Sequence, residues 1–170
     1  MEFPALAPVA LLALSLASLT RARAAEPEHE ASSATIIGAH NSLLQDGAQA
    51  LEAGHADLGI RLTLEGLKSA APPDTAAAYA NLCAGYAQLG RWDEALAQCN
   101  ISITLDKGNW KAFNNRAAVF SARGLFDEAI ADLQSGLKLA PHSAMLQKSL
   151  QITYQNRKIL RRRNRAAARA

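Results

Sequence analysis

Residues 77–109 read AAYANLCAGYAQLGRWDEALAQCNISITLDKGN, and the residues after them repeat that layout at a fixed offset. Gly90 and Gly124, Glu94 and Glu128, and Ala95 and Ala129 each lie 34 positions apart, a period found in helical repeats. Around these anchors GRWDEAL becomes GLFDEAI: a turn glycine, an aromatic, an acidic pair and a small residue. Apolar residues fall at helical spacing on either side of the glycine, with Tyr79, Leu82, Cys83 and Tyr86 before it and Ala95, Leu96, Cys99 and Ile103 after it. Each copy therefore reads as two helices joined at a glycine.

At these spacings the residues resemble the tetratricopeptide repeat. Tyr79, Leu82, Cys83, Tyr86, Ala95, Cys99 and Lys107 occupy its signature slots in one copy, and Phe113, Arg116, Ala117, Phe120, Ala129, Leu133 and Pro141 in the next. Lys107 stands where a proline is usual, and Arg116 puts a charge where an apolar side chain is usual. A fainter copy lies upstream, with Gly47, Ala50, Gly54, Gly59 and Gly66 in small-residue and turn slots. Gly54 precedes Gly90 by 36, two more than the period, and the extra residues are assigned to a Pro72-Pro73 linker. The resemblance, to an exported bacterial type of the family, implies an all-α, right-handed α-solenoid of about three hairpins, at 40–73, 76–109 and 110–143. A capping helix at 144–160 and a basic tail at 161–170 follow.

Composition agrees with that class. The 170 residues are 49% hydrophobic but only 5% aromatic, which suits an Ala/Leu-rich helical domain better than a sandwich or barrel. Helices are expected over 37–53, 56–69, 75–89, 92–105, 110–123 and 126–139. One repeat cannot bury its own apolar face, so about three are needed, with a polar-backed cap to close the stack.

The first residues read differently. Residues 5–19, ALAPVALLALSLASL, carry no charge and precede Ala22-Arg23-Ala24, which resembles a secretory signal peptide over 1–24 cleaved after Ala24. That reading places the protein in the periplasm or outside the cell. Arg21 and Arg23 follow the apolar run and no Lys or Arg precedes it, a distribution that favours the alternative of an uncleaved membrane anchor. Residues 25–36 are polar and acidic and are expected to be a flexible linker.

Cys83 and Cys99 lie at similar distances from Gly90 on the two helices of the middle hairpin. Two readings stand: a disulfide stapling the hairpin in an oxidising compartment, or two small residues buried where helices approach closely, in the slots held elsewhere by Gly47, Thr63, Ala117 and Leu133. Charge is also uneven. Residues 26–156 hold 14 acidic against 9 basic side chains, a net of −5, whereas Arg157, Lys158, Arg161, Arg162, Arg163, Arg165 and Arg169 stand in a tail with no acid. Such a block reads as a solvated extension or as a docking arm for an anionic surface. It has no aromatic for base stacking, so no nucleic-acid partner is expected.

Catalytic and metal-binding patterns are missing. His29, His40, His55 and His142 are scattered with no HExxH, no CxxC accompanies them, and neither GxxxxGK[ST] nor GxSxG occurs. Asp93-Glu94 and Asp127-Glu128 open second helices, where acids favour the helix dipole. No enzyme activity, cofactor or metal is expected. Asn100-Ile101-Ser102 fits a glycosylation acceptor but falls within a helix.

What remains is surface. The resemblance implies that the first helices of successive hairpins line a concave groove for a partner peptide or helix, here through Leu44, Ala48 and Leu51, then Ala77, Ala80, Asn81, Ala84 and Gln88, then Lys111, Asn114, Asn115, Ala118 and Ser121. Some family members grip a terminal carboxylate with a Lys, Arg and Asn set. Asn81 and Lys111 match two of those slots, but Asn115 replaces an Arg, and Leu44 and Ala48 replace a Lys and an Asn. The expectation is a non-catalytic scaffold that binds a protein segment in a mostly apolar groove. The alternative is a peripheral adaptor that docks on an anionic membrane or polyanion through its arginine-rich end.

Overall fold

The computed structural model describes residues 41–169, so the expected signal peptide and linker lie outside the described residues. Among these residues there are seven helices and no strand: α1 (Ser42–Glu52), α2 (Ala56–Leu67), α3 (Pro72–Gln88), α4 (Trp92–Leu105), α5 (Trp110–Ala122), α6 (Phe126–Leu139) and α7 (Ala144–Ala167). They pair in order as three hairpins, α1 with α2, α3 with α4 and α5 with α6, and α7 packs on α6.

Each hairpin turns in the same way. Gly54, Gly90 and Gly124 have φ of 80°, 70° and 76°, the left-handed region where a Cβ is strained. The glycine N–H groups donate to Leu51 O, Ala87 O and Ser121 O, and the next residues' N–H groups to Ala50 O, Tyr86 O and Phe120 O. This pair of bonds satisfies helix-end carbonyls and stops the first helix of every hairpin. Asn109 and Ser143, 34 apart, cap α5 and α7 with side-chain oxygens that accept from Ala112 N and Leu146 N.

Close helix crossings explain the small residues. A Cβ on Gly47 would lie 2.6 Å from Thr63 Oγ1, and one on Gly59 2.5 Å from Leu51 Cγ, so α1 and α2 touch backbone to backbone. In the middle hairpin the corresponding contact is Cys83 with Cys99, and in the third Ala117 with Leu133. Cys83 and Cys99 are bonded, with Cα atoms 5.2 Å apart. The core then runs between hairpins. Val119 of α5 joins Cys83, Ala95 and Cys99, and Leu146 of α7 joins Ala117, Ala129 and Leu133. Each unit thus completes its burial on its neighbour, which makes stability a property of the stack.

Two boundaries differ from the sequence expectation. Pro72 and Pro73 open α3 in place of a linker, because the first helical turn has no intrahelical acceptor for its N–H groups and proline loses nothing there. The capping helix does not end at residue 160 either: α7 runs to Ala167 and takes most of the expected tail with it.

Candidate protein-binding surface

The first helices of the hairpins lie side by side and are tied by side-chain hydrogen bonds. Gln88 Nε2 of α3 donates to Leu51 O of α1 at 3.1 Å. Asn115 Nδ2 of α5 donates to Ala80 O of α3 at 3.1 Å. Ser121 Oγ of α5 and Thr153 Oγ1 of α7 are 3.4 Å apart. The inner flanks of α1, α3, α5 and α7 therefore form one continuous surface, with α7 in the position of a fourth first helix.

This packing corrects the expected lining. Leu44, Ala48, Ala80, Asn81, Ala84, Asn114 and Asn115 are at most 4% exposed, and Leu51 is buried with them. They lie in contacts between helices: Leu44 packs on Gly66 and Leu51 on Gly59 and Gly85, while the small or amide side chains of the others let α1, α3 and α5 come close. Gln88 is exposed, while Ala77, Lys111, Ala118 and Ser121 are half-buried. The Lys111 ammonium lies 5.8 Å from the centroid of the Trp110 ring. With Asn81 and Asn115 sealed, and Leu44 and Ala48 apolar, a carboxylate-gripping set is not assembled.

Two features were not anticipated from the sequence. Arg116, the charge in an apolar slot, donates from Nε and Nη2 to the two carboxylate oxygens of Asp132, both at 2.7 Å, and from Nη1 to Asn100 Oδ1 at 2.7 Å. One side chain of α5 thus bridges α4 and α6, between the rings of Phe113 and Phe120. It also occupies the Asn100 amide oxygen of the glycosylation-like triplet, while Ser102 Oγ donates to Ala76 O at 2.7 Å. The second feature is a repeated ion pair: Arg123 meets Asp93 at 2.8 Å, and 34 residues on Arg157 meets Asp127 at 2.6 Å. Arg161 joins Asp127 at 3.5 Å. The hydrogen bond from Arg157, with charge from both arginines, holds the Asp127 carboxyl below its ordinary value. The repeat of Asp93 at Asp127 and of Arg123 at Arg157 was the signal that α7 continues the array.

Of the other expected site residues, Lys158, Arg162, Arg163, Arg165 and Arg169 are exposed, as is His55 at the α1–α2 turn and His142 before α7. His29 and His40 lie outside the described residues. Among the described residues no group of three or more His, Cys, Asp and Glu is placed to hold a metal ion, and no helix is long and apolar enough to cross a membrane.

No family model matches the chain. Sperm-associated antigen 1 of Mus musculus is 36% identical over 76 residues, which is 45% of this chain and 8% of that protein, so this chain spans a small part of that relative's length. The first TPR domain of Spaghetti (RPAP3), solved bound to the HSP90 peptide SRMEEVD, has a TM-score of 0.61 at 23% identity over 70% of this chain and 97% of its own. The second TPR domain of human RPAP3, solved in complex with the HSP70 peptide SGPTIEEVD, has a TM-score of 0.58 at 24% identity over 66% of this chain and 92% of its own. These likenesses, the three glycine-turned hairpins and the alignment of the first helices lead to one conclusion: the chain has the helical-hairpin solenoid fold of a tetratricopeptide repeat domain.

Proposed function

We propose that this protein is a non-catalytic interaction adaptor that holds a segment of a partner protein on the inner surface of its solenoid. The observation that carries the reading is the continuity of that surface across α1, α3, α5 and α7, tied by Gln88, Asn115 and Ser121. Two similar domains of the same fold are seen with peptides, which supports a protein segment as the ligand class. The contact residues are those that reach solvent, Gln88, Lys111, Ala118 and Ser121, and small half-buried positions such as Ala77 let a peptide backbone approach. The sparse charge of this lining favours recognition by backbone and apolar contacts, with Lys111 fixing register.

We further propose an exported protein. The buried Cys83–Cys99 bond supports an oxidising compartment, since such bonds persist there and are reduced in the cytosol.

The test is a crosslinking pull-down from the native compartment, comparing wild type with Gln88→Glu and Lys111→Glu. Lys111 makes none of the ties between helices, whereas Gln88→Glu also removes the bond to Leu51 O and is checked by circular dichroism; each variant is expected to keep the helical spectrum and to lose the principal partner. Identical partner lists from all three proteins would remove the inner surface from the account. Ala84→Glu is unsuitable, because Ala84 is sealed between helices and a carboxylate there would disrupt the stack.

A further inference from the structure

At the α7 end of the inner surface, the overhang of α7 carries a second site that shares only Ser121 with that surface. The period places the end of a first helix near residue 156, yet α7 continues to Ala167. On this extension Ile159 and Leu160 are 55% and 37% exposed. With Arg163 they form one wall of a cleft of about 320 Å³, and the other wall includes Ser121 and Ala122 at the end of α5 and Phe126 at the start of α6. Ile159 and Arg163 are four residues apart and so share a helix flank. Exposed apolar side chains rimmed by charge mark interaction sites.

The charge on that rim has one sign. Residues 157–170 contain seven cations and no carboxylate. Asp127, the acid that meets this segment, is engaged by Arg157 and Arg161. Among the described residues Arg163 has no ion-pair partner, and it stands at the mouth of the cleft.

From this juxtaposition we infer a second docking site, in which the cleft between α7 and the α5–α6 turn takes an acidic protein segment bearing one aliphatic or aromatic side chain. The apolar side chain fills the space between Phe126 and Ile159–Leu160, and the flanking carboxylates meet Arg163 and the neighbouring arginines. Charge complementarity selects the acids, and the cleft selects the anchor. A bilayer fits less well. Arg163 interrupts the apolar flank, and the apolar atoms face the wall of a cleft, whereas an interfacial helix needs an unbroken apolar strip facing outward. Single-stranded nucleic acid fits less well too, since the one aromatic ring of the cleft, Phe126, is half-buried and residues 157–170 add none for stacking.

The test uses the full chain and fluorescein-labelled 12-residue peptides of Glu, Ser and Gly with a single central Leu, Phe or Ala. The Leu and Phe peptides are expected to bind at least tenfold tighter than the Ala peptide. Arg163→Glu and Ile159→Ser, both at exposed positions, are each expected to weaken the Leu peptide at least tenfold with an unchanged circular dichroism spectrum. Gln88→Glu and Lys111→Glu should leave it unaltered, which separates this site from the inner surface. Equal affinity for the Leu and Ala peptides, binding of none of them, or full binding by Arg163→Glu would overturn the proposal. So would a chain that ignores the peptides but sediments with phosphatidylserine vesicles, because the occupant would then be a lipid surface.

Discussion

Reducing the Cys83–Cys99 bond, or replacing both residues by alanine, is expected to lower the stability of the array by about 3 kcal/mol, the loop-closure value for a bond spanning 16 residues. For a domain of this size that corresponds to a fall in Tm of roughly 10 °C. The effect falls on the middle of the stack. Cys83 and Cys99 join the two helices of the second hairpin and pack with Val119 of the third, so loosening them weakens the contact between units as well as within one. Thermal melts with and without reductant measure it, beside a count of free thiols in the denatured, unreduced protein. Two free thiols with no response to reductant would eliminate the bond. The hairpin would then rest on packing alone.

Asp132→Ala is expected to cost about 2 kcal/mol, the scale of hydrogen bonds to a charged group, because Asp132 is buried but the Arg116 side chain stays 21% exposed and water can answer part of the loss. The substitution leaves the Arg116 guanidinium among Phe113, Phe120 and Asn100 with two of its donors unanswered by the protein. The pair itself is worth less than this, because taking both charges out of water offsets much of their attraction. Arg116→Met with Asp132→Leu should therefore recover most of the stability lost by Asp132→Ala. Urea melts of the single and double variants distinguish the two effects. If Asp132→Ala melts with wild type, Arg116 bridges nothing that matters.

The sequence carried the fold in a few positions. Gly90 and Gly124 recur at the period because a left-handed residue is needed where each first helix stops, and Gly54 marks the same turn in a copy whose other slots have drifted. Cys83 and Cys99 held the slots of Gly47, Thr63, Ala117 and Leu133 because all of these lie where paired helices cross. The lining of the surface was harder to read. Ala80 and Ala84 fit a groove floor and a tight helix contact equally well, since both call for a small side chain. Their burial follows from how closely α1, α3 and α5 approach, which no single helix encodes.

The end of the chain misled for a different reason. Arg157, Arg161 and Arg165 stand four apart, a like-charge spacing that disfavours an isolated helix and reads as an arm. Asp127 on α6 answers the first two, and that contact is visible only once Arg123 and Asp93 are seen as the same pair one repeat earlier. Arg116 stands out in the sequence as a charge in an apolar slot. Its partner lay 16 residues away on the next helix, at a distance that helical periodicity does not report.

The claim that a partner segment lies along the inner flanks of α1, α3, α5 and α7 is tested most directly by photocrosslinking from single positions in the native compartment. A photoreactive phenylalanine is placed at Ala77 on α3 or Ala118 on α5, on the inner side and away from the α7 cleft, and at Ala97 or Ala131 on the exposed outer sides of α4 and α6. Adducts of one discrete mass from the two inner positions, with none from the outer pair, are the predicted result. Adducts from Ala97 or Ala131 alone would contradict the account and place the partner on the convex side.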